Sequence, residues 1–88
     1  MGVLKIVIRK EPFDLIASGK KKIEYREVKP FWHSRLYDVN GKKRHYDSIE
    51  FINGYNVDAK RMVAKYEGFD KKGKLYHIKV GKIIKKSK

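Results

Sequence analysis

The chain has 88 residues, with 23 Lys and Arg against 10 Asp and Glu, a formal net charge of +13 and no cysteine. That is enough chain for one hydrophobic core and too little for two, so residues 1–88 are expected to form a single domain. Without cysteine, disulfides and thiolate metal sites are excluded, which suits a reducing cytoplasm.

The first element, "VLKIVIRK", alternates with Leu4, Ile6 and Ile8 on one side and predicts a strand. Its apolar run, Val3 to Ile8, is broken by Lys5 and is too short for a signal peptide or a membrane span. The sequence therefore reads as a soluble protein without a membrane role. "EPFDLIASG" places Phe13, Ile16 and Ala17 on one helical face, with Pro12 in the first turn and Gly19 just past the end. "KKIEYREV" returns to a period of two, with Ile23 and Tyr25 on one face and Glu24 and Arg26 on the other.

Pro30 closes that strand, because it cannot donate to a central ladder. "FWHSRLYDV" is ambiguous, with Phe31, Arg35 and Leu36 able to line a single helical turn, and "NGKKRHYD" reads as a polar loop. "SIEFING" is a strand with Ile49 and Phe51 inward, ended by the turn signal Asn53-Gly54. "KRMVAKYEGF" alternates Met62, Ala64 and Tyr66 against Arg61, Val63, Lys65 and Glu67. "DKKG" makes a tight connection, and "KLYHIKVGKII" sets Tyr76, Ile78 and Val80 on one side of a last strand. Residues 85–88, "KKSK", read as a frayed basic tail. The expected architecture is mainly β, a small antiparallel β-barrel with one or two short helices, whose closure leaves no free strand edge.

The positive charge favours polyanions, and nucleic acid is the usual partner of a small basic domain that also carries aromatics. Eighteen of the 23 cations are lysines, point charges that suit phosphate contact better than base reading. Simple solubility is the plainer account of the same charge. His33, His45 and His77 are scattered without ligand spacing, so no metal site and no cofactor is expected. Trp32 serves either as core or cleft wall or as a stacking platform for a base.

Lys21, Glu24 and Arg26 put two cations around one carboxylate at the joint between the first helix and the second strand. Such a carboxylate can orient the cations, accept a hydrogen bond from a base or a ribose hydroxyl, or act as a general base. Arg26 can hold a phosphate through two parallel bonds. An ion pair tolerated at a barrel rim is the alternative.

The pattern G-x-K-x-x-E-x-R, here "GKKKIEYR", resembles the signature of the ASCH family, which has a PUA-like barrel fold. The opening strand, the short helix near Pro12 and the later "YDSIEFINGY" and "YHIKVGKII" are similar in order to compact members, over at least residues 3 to 84. The resemblance implies RNA or nucleotide binding in a cationic cleft beside the first helix. Lys21, Glu24, Arg26 and Trp32 would line that cleft, and Lys20, Lys22, Lys42, Lys43 and Arg44 would follow the backbone. It also implies two enzymatic alternatives in the same cleft.

One alternative is a metal-independent ribonuclease with Lys21, Glu24, Arg26 and possible help from His33. The other is an amidohydrolase of modified nucleosides. In the amidohydrolase branch a threonine nucleophile stands where this chain has Glu24, and this chain has no threonine. That branch also carries a glutamate in a helical insertion where only "DKKGK" stands here.

Overall fold

The structure, a computed structural model, describes residues 2–86. In chain order it comprises β1 (Val3–Ile8), α1 (Lys10–Ala17), β2 (Ile23–Glu27), α2 (Pro30–Leu36), β3 (Ser48–Asn53), β4 (Arg61–Lys72) and β5 (Leu75–Lys86). The fold is mainly β, as the alternating segments predict, and both short helices are present. Five strands form one sheet in the order β1-β3-β4-β5-β2, curled into a half-barrel.

Three of the four pairings are antiparallel; β1 and β3 run parallel, with Val3 beside Ser48 and Ile8 beside Asn53. The β4–β5 ladder shifts register at three places between Val63 and Phe69. Gly68 in the last of these has φ +91°, a conformation that an L side chain resists. Such bulges increase local twist and let a short sheet curl around its own core.

The ladder does not close, contrary to the expected sealed barrel. β1 and β2 sit at opposite ends of the strand order, and no ladder joins them. They nevertheless face one another across a narrow seam, which the Arg26 side chain spans by donating from Nη2 to the Val7 carbonyl at 3.2 Å. A side chain therefore stands where a barrel would place main-chain bonds.

The core lies inside the curl. Leu4, Ile6 and Ile8 from β1 meet Ile49 and Phe51 from β3, Met62 and Ala64 from β4, and Tyr76, Ile78 and Val80 from β5, all buried. α1 lays Phe13 and Ile16 against this core and ends in a Schellman motif. Gly19 N–H donates to the Ile16 carbonyl at 3.1 Å, and Lys20 N–H to the Leu15 carbonyl at 3.0 Å. Gly19 takes φ +82°, so the chain turns sharply into Lys21 and β2. α2 starts with Pro30 in its first turn and buries Leu36.

At the other end, Lys85 and Lys86 belong to β5, opposite Val63 and Met62, so the tail expected from Lys85 onward does not begin there. Ser87 and Lys88 lie outside the described residues. Among the described residues no helix is long and apolar enough to cross a membrane.

A candidate nucleotide cleft at the seam

β2 carries its polar pair inward. Glu24 is 5% exposed, while Tyr25 on the other face is 48% exposed and meets His77 edge-on. A buried carboxylate is tolerable only with compensating charge, and the sequence supplies it from both sides. The Schellman turn delivers Lys21, whose Nζ lies 3.0 Å from Glu24 Oε1. Two residues along the same strand face, Arg26 Nη2 lies 2.7 Å from Glu24 Oε2. The Arg26 guanidinium also rests on Trp32, 5.0 Å from the ring, a cation–π contact that fixes its plane.

The clasp is incomplete. Lys21 approaches Oε1 off the hydrogen-bonding direction, so Glu24 Oε1 is buried as an acceptor without a bond, and Arg26 Nε is buried as a donor without one. Leaving such atoms unmatched costs about 1–3 kcal/mol each. They lie beside each other at the seam.

Beside them opens a cleft of about 570 Å³. Glu24, Tyr25 and Arg26 form one wall, Val7, Ile8, Arg9 and Pro12 the second, and Asn53, Gly54 and Tyr55 the third. The parallel β1–β3 pairing explains this composition. It brings the C-terminal ends of both strands to the same end of the seam, so the β1–α1 joint and the β3–β4 loop both reach the cleft. Tyr55 is 91% exposed at its mouth, where an aromatic ring can stack on a base.

The other residues expected at the site are dispersed. Trp32 reaches it only through Arg26; half-buried, it packs against the core as a wall and meets Phe31 edge-on. Lys21 and Lys22 line a separate cleft, and Lys20 a third. Lys43 donates to the Phe69 carbonyl at 2.9 Å and sits 4.6 Å from the Phe69 ring. Arg44 Nε donates to the carbonyls of Ser34 and Tyr37, and the Lys42 main chain is held by Asp38. These three residues brace the loop after α2 and do not line the seam cleft.

His33 is stacked on Tyr37, with Nδ1 3.4 Å from the Tyr76 hydroxyl, and it too is absent from the cleft walls. Among the described residues no group of three or more His, Asp or Glu side chains converges to hold a metal.

No protein-family model, curated protein or solved structure matches this chain. The site is therefore argued from its own chemistry. Arg9, Asn53 and Tyr55 join it without having been singled out as site residues by sequence pattern. Arg9 reads as the residue before a helix and Asn53-Gly54 as a turn, and only the parallel strand pairing brings them together.

Proposed function

We propose that the seam cleft binds RNA or a nucleotide. The observation that carries the reading is the incomplete clasp: a buried acceptor at Glu24 Oε1 and a buried donor at Arg26 Nε, both without a bond, on a cleft wall. An acceptor beside a donor complements the edge of a nucleobase, which carries N–H and C=O groups side by side. Arg9 offers a bidentate contact to phosphate, Tyr55 offers a ring for stacking, and the net charge of +13 favours polyanions generally. The resemblance of "GKKKIEYR" to the ASCH signature supports the same reading.

The test is a titration of the full chain with single-stranded and hairpin RNA across a range of salt. Micromolar or tighter binding is expected, with log affinity falling steeply and linearly against log salt. Glu24→Gln should shift the preference among bases more than the overall affinity, because it swaps an acceptor for a group that both donates and accepts. Arg9→Ala should weaken all sequences alike and lower the salt slope by about 0.7. Undetectable binding of both RNAs at low salt ends the proposal.

A further inference from the structure

A second cleft, of about 360 Å³, lies on the other side of the clasp. Ile16, Val80 and Ile83 supply its apolar lining, and Lys21, Lys22 and Lys82 its charge. Among the clefts of the described residues it stands apart in its electrostatics. Around α1, Lys10 and Lys20 share a depression with Glu11 and Asp14. Near Lys43 and Lys79 the walls include Glu67 and Asp70, and beside Arg61 and Lys85 they include Glu50. The Lys21–Lys22–Lys82 cleft has three cations and no carboxylate among its lining residues. Glu67 touches the backbone of Gly81, with Oε2 2.5 Å from where a Cβ would stand, but it does not line the cleft.

Lys21 belongs to both places. Its ammonium lies 3.0 Å from Glu24, a wall of the seam cleft, while its side chain lines the second cleft. The two hollows are thus separated by one ion pair. The main chain between them is the tight turn at Gly19 to Lys21, where Gly19 has open space on its Cβ side. A flexible polyanion leaving the seam at this turn meets the second cleft next.

Resting on the nucleotide reading of the seam, we propose that the Lys21–Lys22–Lys82 cleft is a second phosphate subsite. The ligand is then a single strand of at least two nucleotides rather than a free nucleotide. The seam takes the base and its own phosphate, and the three lysines take the neighbouring phosphate as point charges, which suits lysine better than a bidentate role. Base identity at this second position is read weakly, because the lining offers cations and apolar groups but no carboxylate, amide or hydroxyl side chain.

The experiment compares uridine 5′-monophosphate with hexauridylate on the full chain by calorimetry or competition, for the wild type and for Lys22→Ala/Lys82→Ala. Both lysines are exposed, so the double variant keeps the fold, checked by its melting curve. Hexauridylate should bind wild type at least about tenfold more tightly than the monophosphate. The double variant should lose most of that advantage, leave the monophosphate affinity unchanged, and lower the salt slope for the hexamer by about 1.4, two phosphate contacts at roughly 0.7 each. Equal affinities for the two ligands, or a hexamer affinity indifferent to the double substitution, overturn the second subsite and leave the seam reading standing. Failure of both ligands to bind overturns the seam reading, and the subsite with it.

Discussion

Replacing Arg26 with Met should destabilise the protein more than neutralising Glu24 itself, and removing both should cost less than removing Arg26 alone. Glu24 is 5% exposed, whereas the side chains of Lys21 and Arg26 are 25% and 22% exposed. In Glu24→Gln the two cations keep a route to water, and the amide retains the shape and one acceptor. The cost is a lost charge-assisted bond, about 1–2 kcal/mol.

Arg26→Met instead leaves the carboxylate buried with only Lys21, which approaches off the bonding direction. Removing one partner of a buried pair costs about 3–5 kcal/mol because the remaining charge is uncompensated. The bond from Nη2 to the Val7 carbonyl across the seam is lost as well. In Glu24→Gln/Arg26→Met the stranded charge is gone, so the double variant should recover about 2 kcal/mol relative to Arg26→Met, a coupling within the usual range for contacting residues. Urea denaturation followed by Trp32 fluorescence measures all four proteins. An Arg26→Met loss no larger than that of Glu24→Gln, or a double variant less stable than either single one, refutes the buried clasp.

Tyr66 gives a prediction at high pH. Its hydroxyl is buried without a bond, and burial, aided by Tyr46, pushes its pKa from 10.0 to about 12. A group with a raised folded pKa contributes stability that is complete below pH 10 and declines between pH 10 and 12 as the unfolded chain ionises first. Tyr66→Phe should therefore match or exceed the wild-type stability at pH 7, and wild type should lose more stability than the variant over pH 10–12 in parallel urea titrations.

Two glycines should respond in opposite ways to their surroundings. Gly19→Ala has nothing within 4 Å of the new Cβ but must hold φ +82°, a cost of about 1–2 kcal/mol. Gly81→Ala meets only the Glu67 side chain, with its Oε2 at 2.5 Å, and the flexible carboxylate can swing away, so thermal melts should show the smaller loss there. Labelled RNA incubated with the protein in chelator should be recovered intact, because the seam cleft holds one carboxylate and no histidine as acid–base machinery. Cleavage that disappears in Glu24→Gln would establish a ribonuclease.

The strands were legible wherever one face is apolar and the other is not. Leu4, Ile6 and Ile8 are buried as their spacing predicts, and Tyr76, Ile78 and Val80 likewise. Helix α1 was legible from Pro12 and Gly19 because both act through local backbone geometry. α2 was not, since its seven residues bury a single side chain and leave almost no apolar stripe to read.

The face of β2 was ambiguous for a different reason. Period two groups Glu24 with Arg26, but hydrophobicity alone would send Ile23 and Tyr25 inward, and the structure does the reverse. The inversion follows from position: β2 is an edge strand, and its inward face opens on the seam. A carboxylate there can be neutralised by Lys21 and by Arg26, while Arg26 reaches on to Val7 on the opposite edge. The open ladder and the buried charge are thus one arrangement. Pairing β1 with β2 by main-chain bonds would close the seam, leave Arg26 without its carbonyl partner and bury Glu24 with no cleft beside it. The unsealed edge is what gives the polar pair a surface on which to meet a ligand.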